Sequence, residues 1–242
     1  MNFLAISRFH LLFSHTQIPF SVGWECVVFL DKRSATSERT FKSASSRVFA
    51  NSLSRFNSWG SDISVSKKSL GVMIDLSRNA VMSLPALKSF LSTLKKFGYN
   101  TVFLYMEDTY QVEGEEYFGY MRGRYSLEEM KEIDNLCVSL GIEAIPCIQT
   151  LAHMKTYFKW GQVGVDCDDI LLVDEDRTYE LISNMFKTLT KCFRSKRLHI
   201  GMDEAHMLGR GKYFDKHGQK TSNEIIKGHL EKICDIAKPY GY

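Results

Sequence analysis

The 242-residue chain lacks several features that would assign it to a specialised class of protein. Its 31 basic and 28 acidic side chains nearly cancel, and a net charge of +3 does not favour nucleic acid or a membrane surface as a partner. No apolar run approaches the roughly 20 residues that a membrane-spanning helix needs. Neither the dinucleotide motif Gly-x-Gly-x-x-Gly nor a P-loop is present, which disfavours a nucleotide-binding fold.

The cysteines also lack the spacing of a metal or disulfide framework. None of the six forms a Cys-x-x-Cys pair, so a zinc cluster is not expected and no cofactor is predicted. Several lie in apolar positions of predicted helices or strands, as buried free thiols do in a reducing compartment. Near the N-terminus, Arg8 and His10 interrupt the apolar patches and no clean cleavage site follows. The expected location is therefore the cytoplasm.

Composition divides the chain near residue 70. Residues 1–69 hold 15 of the 24 serines and a charge balance of +5, whereas residues 70–242 balance at −2. The first part predicts a basic, Ser-rich, poorly ordered or loosely packed leader, with one strand at residues 24–30. The second part predicts a folded catalytic-type domain.

From residue 70 onward, short apolar runs alternate with helical patterns. Strands are predicted at residues 70–76, 101–106, 142–148 and 198–202. Helices are predicted to begin after Ser83, after a capping box of Ser126 and Glu129, near residue 178 and after Ser222. This alternation predicts an α/β fold with a parallel sheet, either half of an eight-fold barrel or the core of a doubly wound sheet.

Polar side chains follow every predicted strand, where α/β enzymes place their chemistry. In chain order these candidates are Arg78, Asp108, Gln149, His153, Asp203 and Glu204. Each has an ordinary alternative; the Asp-Glu pair, for example, resembles the acidic first turn of a helix. Their joint placement favours an active site. We interpret the acidic residues 166–176 as a solvated loop and the loop aromatics mainly as packing, with sugar stacking as the alternative; these aromatics are Tyr110, Tyr117, Phe118, Tyr120 and Tyr125.

The run HIGMDEA at residues 199–205 resembles the signature of glycoside hydrolase family 20, the β-N-acetylhexosaminidases. Residues 75–79, 120–125 and 208–213 also look like a bacterial-type branch of that family. The resemblance covers about residues 70–242. It implies a TIM barrel, with Asp203 and Glu204 after the fourth strand, and an N-acetylhexosamine-containing glycan as the substrate.

The resemblance also implies a role for each candidate residue. Glu204 would be the general acid and base, and Asp203 would stabilise the substrate's 2-acetamido group, whose carbonyl oxygen attacks the anomeric carbon with net retention. Asp108 and His153 resemble the relay that tunes the acid, and Arg78 would hold sugar hydroxyls. Gln149 would also contact substrate, although many members have Asp at this position.

Length sets the chain apart from a complete barrel. A barrel takes about 250 residues, whereas 173 residues follow position 69, enough for about four βα units. We therefore expect a partial barrel, and a truncated hexosaminidase that is weak or inactive without a complementing chain. Two alternatives stay open: a non-catalytic glycan-binding remnant, and a metal-dependent hydrolase that uses His153, His199, Asp203 and His206.

Overall fold

The computed structural model describes residues 69–242. Three strands are present in this part of the chain: β1 (Gly71–Asp75), β2 (Thr101–Glu107) and β3 (Glu143–Ile148). The α-helices are α1 (Leu84–Lys96), α2 (Leu127–Ser139), α3 (Lys155–Phe158), α4 (Asp176–Cys192), α5 (Lys212–His217) and α6 (Ser222–Ala237), and a 3-10 turn follows at Lys238–Tyr240. The strand predicted at residues 24–30 lies outside the described residues. Among the helices described, none combines the length and apolar character that a membrane crossing requires.

The three strands form one parallel sheet in the order β1-β2-β3. Because side chains alternate along a strand, the two faces separate by odd and even number. Even-numbered residues such as Val72, Leu104 and Ala144 join the main core with the helices. Odd-numbered residues form a separate apolar cluster on the other face, which contains Phe103, Tyr105, Ile145 and Cys147. The predicted α/β class with a parallel sheet is thus confirmed.

Helix boundaries follow the predicted caps, with two corrections. Ser83 occupies the N-cap position of α1, but its side chain forms no capping hydrogen bond. Helix α2 begins with the predicted capping box, in which Ser126 and Glu129 exchange side-chain and main-chain hydrogen bonds. Helix α6 is capped by Thr221 rather than by Ser222, because Thr221 has a Glu three residues later and forms its own capping box. Ser222 is instead the first residue inside the helix.

The predicted fourth strand is reduced to one parallel bridge between Cys147 and His199. The His199 N–H donates to the Pro146 carbonyl, and the His199 carbonyl accepts the Ile148 N–H. Two features limit the pairing. Pro146 has no N–H to offer on the side that faces this segment, and Gly201 adopts a φ of +53°, which breaks the extended conformation. A regular strand at residues 198–202 was therefore a wrong prediction, although the segment runs beside β3.

Candidate active site

A chain of hydrogen bonds joins the C-terminal ends of the strands. The hydroxyls of Ser77 and Tyr105 both donate to the carboxylate of Glu107. The amide of Gln149 donates to the Tyr105 hydroxyl at 3.2 Å and to Asp203 Oδ1 at 3.1 Å. The odd-numbered face of the sheet thus continues into a polar site that holds two of the predicted site residues, Gln149 and Asp203, together.

His153 brings the two adjacent carboxylates to a common point. Its Nε2 lies 3.4 Å from Asp203 Oδ2 and 3.6 Å from Glu204 Oε2. Both His153 and Glu204 have left-handed backbone conformations, with φ near +59° and +58°. Such conformations cost about 1–3 kcal/mol each and persist where the surrounding structure enforces them, often at functional sites.

The charges of His153 and Asp203 stabilise each other. The interaction with His153 lowers the pKa of Asp203 strongly, and the Gln149 amide adds to this effect against the opposing influence of burial. In the same way, the interaction with Asp203 raises the pKa of His153 and outweighs partial burial of the ring. Asp203 is therefore an ionised carboxylate, with the Gln149 amide donating to one of its oxygens and the His153 ring nitrogen 3.4 Å from the other.

Replacing Asp203 by Asn should lower the pKa of His153, because the largest stabilising influence on the imidazolium is removed. The stability that protonated His153 contributes is fully present below the pKa of an unfolded-state histidine. It is lost as pH rises through the higher folded-state pKa, and the variant should lose this contribution. A pH titration of the histidine ring signals by NMR measures the change. Asp168→Asn is the matched control, since Asp168 pairs with exposed Lys155. An unchanged His153 pKa in Asp203→Asn would contradict the assignment.

Asp108 does not form the predicted relay with His153. Asp108 is buried, and its Oδ1 accepts from Arg122 Nε at 3.0 Å. Arg122 also donates to the Ser77 hydroxyl at 2.7 Å. Burial raises the pKa of Asp108 against the influence of this guanidinium. Within the described residues, the carboxylates within 4 Å of the His153 ring nitrogens belong instead to Asp169, Asp203 and Glu204.

Arg78 lies at the same end of the sheet. Its Nε is 2.6 Å from Asp75 Oδ2, and its guanidinium lies over the Tyr105 ring at 5.3 Å from the centroid. The side chain is 63% exposed, so its charge faces solvent above the strand ends. This position is compatible with the predicted contact to substrate.

The acidic loop is not simply solvated, which corrects the sequence interpretation. Asp169 Oδ2 accepts the main-chain N–H of His153 at 3.1 Å and lies 3.8 Å from its Nδ1. Buried Asp166 accepts three main-chain N–H groups, which belong to Gly209, Gly211 and Tyr213. These amides follow the Asp-Glu pair along the chain, so Asp166 fixes the segment that carries it. Spacing alone did not reveal these contacts, because their partners are distant in sequence.

Asp166→Asn should destabilise the protein by about 1–3 kcal/mol, because an amide keeps the size of the side chain but removes the charge and one acceptor oxygen from three N–H donors. Urea unfolding followed by circular dichroism measures this loss. Asp168→Asn removes an exposed charge from the same loop and should change the free energy of unfolding by less than about 0.5 kcal/mol. Equal stability of the two variants would show that Asp166 does not anchor the segment.

The aromatic residues of the loop after β2 fall into two groups. Tyr110, Phe118 and Tyr125 are buried, which confirms the packing interpretation for them. Tyr117 and Tyr120 are partly exposed and contact Trp160, with ring centroids 5.5 and 5.0 Å from that of the indole. The exposed pair and Trp160 form a small aromatic surface on the loops that follow β2 and β3.

The four-residue ligand set predicted for a metal-dependent hydrolase does not assemble. In the described part of the chain, the group of side chains close enough to share an ion is His153, Asp203 and Glu204. His199 lies four residues before Asp203, where it forms the bridge with Cys147 of β3. Burial lowers the pKa of its ring. Neither His199 nor His206 joins the group, so this alternative loses two of its four ligands.

Three curated relatives of this chain are named as hexosaminidases. No protein-family model matches the sequence. The chain is 28% identical over 169 residues to human Hexosaminidase D, which covers 64% of this chain and 34% of that protein. It is 24% identical to bovine Hexosaminidase D over 61% of this chain and 45% of that protein. It is also 26% identical to Beta-hexosaminidase 3 of Arabidopsis thaliana over 71% of this chain and 35% of that protein.

The fold of the described residues is similar to that of solved hexosaminidase structures. A GH20 exo-β-N-acetylglucosaminidase of Vibrio harveyi, in complex with N-acetylglucosamine, matches with a TM-score of 0.62 at 16% identity, over 71% of this chain and 34% of that one. A Streptomyces plicatus β-hexosaminidase mutant, in complex with its product, matches with a TM-score of 0.59 at 21% identity, over 71% and 37%. The predicted resemblance to glycoside hydrolase family 20 is confirmed. The chain spans less than half the length of these relatives.

Proposed function

We propose that this chain carries the acid/base and the acetamido-positioning carboxylate of a retaining, substrate-assisted β-N-acetylhexosaminidase. The observation that supports this most is the convergence of two adjacent carboxylates on one histidine, with the Gln149 amide also donating to Asp203. Two adjacent carboxylates in such a site can serve two different tasks at one substrate.

Glu204 is the proposed acid. Its side chain is 35% exposed, so it can reach a bound glycoside, and its Oε2 lies 3.6 Å from His153 Nε2. In the first step Glu204 gives its proton to the glycosidic oxygen as the bond from that oxygen to the anomeric carbon breaks. In the second step the ionised Glu204 takes a proton from the attacking water.

Asp203 is the proposed partner of the 2-acetamido group. An ionised carboxylate can accept the acetamido N–H and direct the carbonyl oxygen toward the anomeric carbon. That oxygen forms the new bond while the leaving group departs, which gives a cyclic oxazolinium ion whose positive charge the Asp203 carboxylate stabilises. Water then opens the ring from the opposite face. Two inversions at the anomeric carbon give net retention.

The same resemblance supports a partial TIM barrel for this part of the chain. The irregular segment 198–202 makes one parallel bridge to β3, and we propose that it takes the position of the fourth barrel strand; the residues that follow Met202 are the catalytic pair. Arg78 and Gln149 then lie at the C-terminal ends of the first and third strands. We propose that Arg78 contacts sugar hydroxyls and that Gln149, whose amide donates to Asp203, also contacts the substrate.

The test compares two chromogenic substrates that differ only at C2. Even at the low turnover expected of a partial barrel, the full chain should release nitrophenol from 4-nitrophenyl N-acetyl-β-D-glucosaminide and not from the corresponding β-D-glucoside, since only the former carries the internal nucleophile. NMR of the fresh product should show the β-anomer first. Equal cleavage of both substrates would contradict substrate assistance. Calorimetric binding of N-acetylglucosamine without any turnover would favour a glycan-binding role.

A further inference from the structure

The three side chains at the centre of the site have donor atoms arranged as ligands of one ion. His153 Nε2, Asp203 Oδ2 and Glu204 Oε2 point to a shared position, and suitable ligand atoms of the three residues lie within 4.8 Å of one another. We propose that this group binds a divalent transition-metal ion of the zinc class, and that the ion is an inhibitor of the glycosidase chemistry rather than a cofactor.

The distances match such an ion. Zinc lies about 2.0–2.2 Å from imidazole nitrogen and carboxylate oxygen, and tetrahedral geometry then separates two ligand atoms by about 3.4 Å. The observed separations from His153 Nε2 are 3.4 Å to Asp203 and 3.6 Å to Glu204. Nε2 also makes no hydrogen bond of acceptable geometry within the described residues, although two carboxylates lie close to it. A central ion would give this ring nitrogen a partner and would bind both carboxylates as well.

The type of ligand selects the type of ion. One imidazole and two carboxylates suit zinc and its neighbours, whereas magnesium and calcium prefer ligand sets made of oxygen alone. Three protein ligands leave a fourth position for water, as in open zinc sites. The surroundings also resemble a metal site, because Asp169 lies 3.8 Å from the other ring nitrogen of His153 and Gln149 holds the second oxygen of Asp203.

The inhibitory effect follows from the two carboxylates, and this part of the inference rests on the proposed function. An ion bound to Glu204 prevents that residue from delivering a proton to the leaving group. The same ion occupies the Asp203 oxygen that would otherwise face the acetamido group. Metal and N-acetylated sugar should therefore compete for the site.

Calorimetric titration of the full chain with zinc chloride tests the binding itself. We expect a site of one ion per chain, with at least tenfold weaker affinity in His153→Ala and in Glu204→Gln, and no comparable binding of magnesium. Asp168→Asn should bind as the unaltered chain does, since it removes a nearby charge that is not a ligand. Zinc affinity unaffected by both ligand substitutions would overturn the proposal, and circular dichroism of each variant shows whether the fold is retained.

Cobalt(II) absorption provides a second measurement that does not depend on the variants. An ion held by nitrogen and oxygen should show no thiolate-to-cobalt charge-transfer band, whereas binding at the cysteines would produce one and overturn the assignment. Inhibition is measured separately: zinc should raise the apparent KM for the N-acetylglucosaminide and leave kcat unchanged. Absence of any turnover without zinc would contradict the proposed function alone, because the calorimetric and cobalt results stand independently of it.

Discussion

Glu204→Gln should reduce kcat for 4-nitrophenyl N-acetyl-β-D-glucosaminide by about 10²–10⁴-fold, the usual contribution of a positioned general acid. The amide is almost the same size as the carboxyl group but cannot supply a proton to the glycosidic oxygen. Binding of the sugar should change much less, since Gln149, Asp203 and Arg78 stay in place. Initial rates over a range of substrate concentrations separate kcat from KM.

The choice of leaving group and of control makes this result specific. A substrate with a better leaving group needs less protonation, so the defect should shrink for a dinitrophenyl glycoside. Glu231→Gln, an exposed position on α6, makes the same chemical change away from the site and should retain full activity. Unchanged turnover in Glu204→Gln, or a defect that is equal for both leaving groups, would show that another residue is the acid.

The ends of the strands explain why much of the site could be predicted. Parallel strands direct their C-terminal ends to one edge, so residues that follow separate strands meet there even when they are distant in sequence. Gln149, His153, Asp203 and Glu204 do meet in this way. The capping box at Ser126 was equally predictable, because it depends on two residues three positions apart.

The acidic loop shows where such reasoning stops. Three aspartates lie within four residues of one another in this loop, yet their contacts differ. Asp166 accepts three distant main-chain N–H groups, Asp168 is an exposed ion-pair partner, and Asp169 contacts His153. Periodicity has no bearing on these differences, because each is decided by a partner that the tertiary fold brings in. Asp108 illustrates the same limit: it contacts Arg122 rather than His153, because the loop after β2 folds back and brings Arg122 to it.

That loop is held by a buried carboxylate, Glu115, which the proposed chemistry does not use. Its side chain is 2% exposed and forms a two-point ion pair with Arg177, while Asn184 and Tyr157 each donate to it at 3.0 Å. Although burial alone would raise it, these donors keep the pKa of Glu115 below its usual value. The network joins the loop after β2 to α3, which begins just after His153, and to α4.

Glu115→Ala should therefore lower the free energy of unfolding by about 3 kcal/mol, the lower end of the range for breaking a buried pair, because Arg177 is 35% exposed and can regain some water. Glu113→Ala is the matched control: it removes the same side chain two residues earlier, where Glu113 pairs with half-exposed Lys191, and should cost less than about 1 kcal/mol.

Urea unfolding at several pH values adds a second criterion. Since the folded-state pKa of Glu115 is lowered, its contribution is present above the unfolded-state value and is lost as pH falls through the folded-state value. The stability difference between the Glu115→Ala variant and the unaltered chain should accordingly narrow in acid; equal losses for both variants at every pH would mean that this network does not hold the loop beside the active site.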